Sequence, residues 1–388
     1  MSVLRTDLIK SLILNKNKPI VPESVCKAIG DSVTSESYEI ASSLDYIRAT
    51  FDYYRNRVEP LILDYSGKAT IDAYALYFMP RNVIIPSIAL LLCSYHPKFQ
   101  AIPEKLKILD IGSGAGAITL GLIDFFSKPA FSATKLEITA IDSSRDALLK
   151  QKDLIKRFGN NGCSVNLRLA DLSNPNVLKS ELQSNGPYNI VFASNVLTEL
   201  QSKAIDELME GVAGCLTDTG IFASAEAHRS YVMEQRCRIS GNLGKFGLNI
   251  VYPCPPGLIC PNKQCRKWRE DELDCLDIHY SSGIIKPKKI KRVNWFIFSK
   301  NRSSIYDMLV DKYPNLVWGI TAGGKVSGSK KNIYEYEFCT QKGLVKKTIY
   351  WKMGQEPIKS GMFVGFSPDL SRIEVVWDIL SGFRCLNY

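Results

Sequence analysis

The run Ile108-Leu109-Asp110-Ile111-Gly112-Ser113-Gly114-Ala115-Gly116 holds the residue types best suited to bind a ligand. An apolar stretch ends in an acid, and three alternating glycines follow. Glycine has no Cβ and accepts positive φ, so such a turn lets backbone come close to a bound molecule. Ala117 to Ile123 is apolar enough to be a helix packed on a sheet. A second cluster, Cys254, Cys260, Cys265 and Cys275, lies among Pro255, Pro256, Gly257 and Pro261. Prolines and glycines suit an irregular loop that wraps a metal, and four thiolates suit zinc or an iron–sulfur cluster. The gaps of five, four and nine residues are not the CxxC pairs of a zinc ribbon. Cys26, Cys93, Cys163, Cys215 and Cys237 sit singly in apolar surroundings, as buried small hydrophobes do.

These residues need elements to position them. Residues 1–100 show apolar residues at helical spacing, in Leu44–Tyr54, Thr70–Tyr77 and Ile84–Cys93. They read as a helical N-terminal region capping a sheet. Residues 101–253 alternate strands with helices, the pattern of an α/β doubly wound (Rossmann-like) parallel sheet. Expected strands are Lys107–Ile111, Glu137–Ile141, Val165–Ala170, Tyr188–Ala193, Gly220–Ala225 and Gly247–Tyr252. The first five end in polar residues, among them Asp142, Asp171, Asn195 and Glu226. Ligands of open α/β sheets bind at those carboxyl ends. Residues 254–285 form the cysteine loop, and 286–388 read as a small β-rich C-terminal module in which Thr340–Leu344 turns a hairpin.

The Asp110-x-Gly112-x-Gly114-x-Gly116 arrangement resembles that of class I S-adenosylmethionine (SAM) methyltransferases. The resemblance implies a SAM site at Asp110, Gly112, Ser113, Gly114, Gly116, Asp142, Asp171 and Asn195. Asp110 would sit near the cofactor's amino group, Asp142 at the ribose hydroxyls and Asp171 at the adenine. Gly112-x-Gly114-x-x-Ala117 also fits a dinucleotide fingerprint, whose acid follows about 20 residues on. Asp142 comes late for that role, and an acid directly before the turn favours SAM.

A wider resemblance covers roughly residues 70 to 350. Its order is Tyr74…Met79-Pro80, then Leu109–Gly114, a strand ending at Glu226, Val251-Tyr252-Pro253-Cys254-Pro255-x4-Cys260-Pro261, and Phe338-Cys339-Thr340-x-x-Gly343. The chain resembles the methyltransferase-like family associated with assembly of the ribosomal small subunit, best known in mitochondria. The resemblance implies a [4Fe–4S] cluster held by Cys254, Cys260 and Cys339, with Cys265 or Cys275 completing the set. The family's His-Phe after the third loop cysteine is absent here, so a four-cysteine loop site without Cys339, and zinc in place of iron, stay open. It also implies RNA, in particular small-subunit rRNA, as partner. The start Met1-Ser2-Val3-Leu4-Arg5-Thr6-Asp7 shows no signal-peptide pattern, so the expected location is cytoplasmic, with the mitochondrial matrix as the alternative.

For methyl transfer the candidates are Asn195 and Glu199 in Ser194-Asn195-Val196-Leu197-Thr198-Glu199. That stretch lacks the Asn-Pro-Pro-Tyr pattern of many base-amino methylating enzymes, and it is not a catalytic-cysteine motif. His96, His228 and His279 show no metal spacing, and His228 alone falls near the expected rim. The net charge of +10 leans toward an acidic partner. Lys286–Arg302 carries seven Lys/Arg and no acid, interleaved with Trp295, Phe296 and Phe298, a nucleic-acid pattern of which at most one strand face can bind. No apolar run approaches the roughly 20 residues of a membrane span. The competing function is a methyltransferase of a small molecule or protein with a structural zinc.

Overall fold

The computed structural model describes residues 2–159, 162–184, 186–227, 229–255, 269–301, 304–326, 333–340, 342–350, 358–359, 362, 363–378 and 380–385. Cys260, Cys265 and His228 lie outside the described residues.

The centre is one sheet built of β1 (Lys105–Ile111), β2 (Lys135–Asp142), β3 (Ser164–Leu169), β4 (Tyr188–Ser194), β5 (Leu216–Glu226), β6 (Asn249–Tyr252) and β7 (Ile290–Ser299). Their spatial order is β3-β2-β1-β4-β5-β7-β6. The first five run parallel, with Ile108 opposite Ile138 on one side and Ile190 on the other. Near-continuous apolar runs such as Ile108–Leu109 suit them because helices cover both faces. The order reverses between β1 and β4, and there the ligand crevice opens. β7 runs antiparallel between β5 and β6, and Arg269–Glu272 extends the sheet along the first half of β7.

The placement of β7 corrects the reading of the basic stretch. Residues 290–299 belong to this sheet and not to the C-terminal module. Trp295 and Ile297 join the core on one face, Phe296 and Phe298 the core on the other, and all four are at most 3% exposed. Neither face of the strand is therefore free to stack on bases. The sheet's interior requires both, because a strand flanked by two neighbours and covered by helices has no solvent side.

The N-terminal region is helical as expected, with α1 (Thr6–Ile13), α2 (Glu23–Ser32), α3 (Ser37–Tyr54), α4 (Lys68–Tyr77), the short α5 (Met79–Asn82) and α6 (Ile85–Ser94). Pro80 and Pro86 stand in the first turns of α5 and α6, where the missing N–H costs nothing. No single helix among the described residues is long and apolar enough to cross a membrane. The helices are fastened to the sheet domain by a buried ion pair. Lys150 Nζ, on α8 (Arg145–Phe158), lies 2.6 Å from Asp72 Oδ1 on α4 and donates to the carbonyl of Ser32 at 2.6 Å. The other Asp72 oxygen accepts from the Ser35 hydroxyl and from the amides of Thr34 and Ser35. Every charge is answered, as a buried pair requires.

The C-terminal module is an antiparallel six-stranded sheet of β8 (Val317–Val326), β9 (Ile333–Thr340), β10 (Gly343–Tyr350), β11 (Phe363–Phe366), β12 (Ile373–Asp378) and β13 (Gly382–Cys385), in the order β10-β9-β8-β11-β12-β13. β9 and β10 form the expected hairpin, closing at Thr340 and Gly343. The module packs through aromatic rings: Phe363 lies 5.8 Å from Tyr252 of β6 and 5.1 Å from Tyr306, and Trp377 lies 4.8 Å from Tyr95.

Candidate functional site

The carboxyl ends of β1, β2 and β4 wall a cavity of about 280 Å³. Its floor is the turn from β1 into α7 (Ala117–Phe126), where Gly112, Gly114 and Gly116 have φ of +61°, +53° and +94°. L side chains rarely adopt these values. A Cβ on Gly114 would meet nothing within 4 Å, so the space over this residue is open. Gly112, Ser113, Gly114, Asp142, Asp171 and Asn195 all line the cavity.

Asp142 closes β2 and its carboxylate bridges two turns. Oδ2 accepts from the Gly114 amide at 2.7 Å, and Oδ1 from the Ser144 amide at 2.8 Å. Burial nonetheless pushes its carboxyl above the usual range. Each oxygen keeps a lone pair for a hydroxyl donor. Asp171 is exposed and accepts from the Ser173 amide and hydroxyl through Oδ1. Asn195 takes φ of +60°, a conformation asparagine tolerates, and its amide donates to the Ala225 carbonyl at 3.1 Å.

Two expected cofactor residues do not line the cavity. Asp110 is 1% exposed, and strand alternation turns it to the face that α7 covers. There Oδ2 accepts from the Thr119 hydroxyl at 2.8 Å, while Oδ1 is buried without a partner. Burial pushes this carboxyl up to about 7. Thr119 also accepts from Gln151, which accepts from Ser113, so Asp110 anchors a buried chain that braces the glycine turn from behind. Gly116 precedes α7, and a Cβ on it would lie 2.6 Å from Gln151. Both residues shape the turn without facing the cavity.

A second cavity, of about 350 Å³, adjoins the first. Tyr65, Tyr74, Asn82, Asn195 and Glu199 line both and mark the passage between them. The Tyr65 hydroxyl donates to Glu199 Oε1 at 3.1 Å. Glu199 is deep in the cleft yet open to the cavity's water, and desolvation pushes its carboxyl up to about 8 against the Tyr65 hydrogen bond. Glu226 fixes the loop that carries Asn195 and Glu199. It is 1% exposed and accepts from the amides of Val196, Leu197 and Thr198 at 3.1, 3.2 and 3.1 Å. Sequence motifs did not single out Tyr65 or Asn82. Tyr74 entered through its helical spacing and as the start of the wider resemblance, and neither tells a core aromatic from one at a cavity wall.

The cysteines divide. Cys254 and Cys339 both lie close enough to the buried Tyr306 hydroxyl to raise its pKa, although one follows β6 and the other lies within β9. The Tyr306 hydroxyl donates to the Pro253 carbonyl at 3.3 Å. Cys275 is placed elsewhere: its thiol is hydrogen-bonded to Cys26 on α2. Among the described residues, no three His, Cys, Asp or Glu side chains converge as a metal-binding group.

Residues 109–222 match the family described as Methyltransferase domain. No curated protein matches the chain. Among solved structures, PKMT2 from Rickettsia typhi in complex with AdoHcy is 19% identical over 38% of this chain and 26% of its own, with a TM-score of 0.27. The match thus spans about a quarter of that protein. An rRNA methylase from Streptococcus thermophilus is 13% identical over 52% of this chain and 90% of its own, at a TM-score of 0.31. Magnesium protoporphyrin IX methyltransferase from Synechocystis PCC 6803 with bound SAM is 13% identical over 68% and 97%, at 0.32. The domain match runs from β1 into β5, across the glycine turn and both acid-ended strands. The chain therefore has a class I methyltransferase α/β fold and is methyltransferase-like, with an added helical cap and a β-rich C-terminal sheet.

Proposed function

We propose that the chain is a SAM-dependent methyltransferase that acts on RNA, with small-subunit rRNA as the substrate the wider resemblance implies. The observation that carries the reading is the open glycine turn beside Asp142, joined by a passage at Glu199 to a second cavity. The lining of the first cavity supports the cofactor. Gly114 leaves the space a side chain would fill, Asp142 would offer two carboxylate oxygens to the ribose, and Asp171 would stand at the adenine end.

SAM supplies an electrophilic methyl on a sulfonium. Glu199 stands at the passage and takes the proton that the acceptor loses. Tyr65 orients it by donating to Oε1, and Asn195 holds the neighbouring wall. The test is calorimetric titration with SAM. Gly114→Arg fills the open space and abolishes binding while the protein stays folded. Unchanged affinity in a folded Gly114→Arg variant overturns the site.

The resemblance further implies a [4Fe–4S] cluster, with zinc as the alternative. Cys254 and Cys339 support the reading, because two thiols from distant segments share the neighbour Tyr306. The engagement of Cys275 by Cys26 favours Cys260 and Cys265 as the remaining ligands. The cluster would serve structurally, stapling the end of β6 to the C-terminal sheet. Cys339→Ser should lose the iron and the absorbance of anaerobically purified protein. Stoichiometric zinc without iron in the parent protein overturns the cluster.

A further inference from the structure

The second cavity differs from the first in charge. Arg48, Arg55, Arg81, Arg229, Lys288 and Arg292 line it, against Asp52, Glu199 and Glu226. Arg55 answers Asp52, and Glu226 spends its charge on backbone amides. Arg229 is likewise committed, to the carbonyls of Tyr54, Glu59 and Thr198. Three cations converge on a single ring. The Arg48 guanidinium lies 4.6 Å from the Tyr77 centroid, Arg81 5.4 Å and the Lys288 ammonium 5.7 Å. Lys288 and Arg48 also hydrogen-bond the Tyr77 hydroxyl, holding its pKa below the usual value against the effect of burial.

Arg81 is the most telling of the three. Burial lowers its pKa, and the groups that act back on it are the phenols of Tyr77 and Tyr74. Its Nε is buried with no hydrogen-bond partner, and no described carboxylate forms an ion pair with it. The guanidinium is half-buried at the cavity wall, so an anion in the cavity would answer a charge that only rings face. Toward the passage the wall becomes aromatic: Tyr74 stacks on Phe78 at 5.3 Å and meets Tyr65 edge-on at 5.5 Å.

We propose that the second cavity takes a single nucleotide unit turned out of an RNA strand, its phosphate among Arg48, Arg81 and Lys288 and its base beside Tyr65 and Tyr74 at the passage. The inference rests on the methyltransferase reading and gives its acceptor a chemical class. Cations for a phosphate and rings for a base are the two contacts a splayed-out nucleotide needs. The same charge repels a lysine or arginine side chain, which excludes cationic protein acceptors. The basic residues Lys288 and Arg292 at the mouth of β7 thus serve a concave site, whereas the aromatics that follow them are core.

The test uses the full chain saturated with S-adenosylhomocysteine, so that the first cavity is filled. Calorimetry with the four ribonucleoside monophosphates, the matching nucleosides and inorganic phosphate reads the site. A monophosphate should bind, and its nucleoside and inorganic phosphate should bind roughly tenfold or more weakly. Lys288→Ala and Arg81→Met should each weaken the monophosphate by roughly tenfold or more while leaving S-adenosylhomocysteine affinity unchanged. Lys288 is exposed, so its variant reads the site even if Arg81→Met folds poorly. A single-stranded RNA carrying thiouridine should photocrosslink to the segments holding Tyr65 or Tyr74. Absence of monophosphate binding at millimolar concentration, binding that ignores both substitutions, or a phosphorylated sugar bound as tightly as any nucleotide overturns the proposal. Failure of S-adenosylhomocysteine to bind overturns the methyltransferase reading instead.

Discussion

The two cavities share a wall but are made of opposite materials. The first is lined by bare backbone and carboxylates, from Gly112, Gly114, Asp142 and Asp171. The second is lined by guanidinium, ammonium and aromatic rings, from Arg48, Arg81, Lys288, Tyr74 and Phe78. Hydroxyls and a sulfonium cation are at home in the first, and an anion in the second. On the proposed reading each ligand would be disfavoured in the other's place, so that donor and acceptor would be sorted before they met at Glu199. The difference also has a structural origin. The first cavity takes most of its lining from consecutive strand–turn–helix units of one sheet, with Ile71, Tyr74, Met79 and Asn82 of the cap closing it, whereas the second needs α3, α4, α5 and the start of β7 brought together.

The sharpest way to probe the contrast is at the shared wall. Glu199→Gln keeps the size of the side chain and removes its basicity. Turnover should fall by about 10²–10⁴-fold, with SAM affinity retained. The pH profile adds a second reading. The carboxyl is raised to about 8, so it is protonated at neutral pH, and its base form appears as pH rises through that value. Turnover should therefore climb toward pH 8 in the parent and lose that limb in Glu199→Gln. A rising limb that survives the substitution assigns the proton to another group.

A smaller effect comes from detaching the cap that supplies most of the second cavity. Lys150→Met leaves Asp72 buried without its cation and should cost about 3–5 kcal/mol of stability. The hydroxyl and amide partners of Asp72 set the loss toward the lower end. Differential protection in hydrogen exchange should show α2 and α4 opening before the central strands. Uniform loosening of cap and sheet would mean that the two cavities are not separately supported.

The first cavity was legible in the sequence because its geometry is local. Glycines at alternate positions, and acids at the ends of apolar runs, report backbone conformation and strand ends directly. Asp110 was misplaced because nearness to the turn was read without strand alternation, which sends it under α7. The basic stretch was misassigned for a related reason. Trp295-Phe296-Ile297-Phe298 has no polar alternation, and a continuous apolar run marks a strand covered on both faces. Lys288 and Arg292 were noticed for their charge, but composition does not say which wall a charge faces. Arg48 and Arg81 carried no signal: Arg81 meets Tyr77 and Phe78 within one helical turn, and Arg48 reaches Tyr77 from a different helix, but neither spacing says that the charges face a cavity.

The place of β7 has a consequence for how this chain must be made. Among the described residues β6 has no sheet neighbour but β7, and β5 has none on that side until β7 arrives. A nascent chain that has passed Tyr252 therefore carries an unpaired β5 edge and a homeless β6 through the whole cysteine segment. Only when residues up to Ser299 have emerged can the last strand slip between them and close the sheet. The interval is one in which a bare hydrophobic edge invites aggregation. Any ligand that gathers the intervening loop would shorten the search of β7 for its slot.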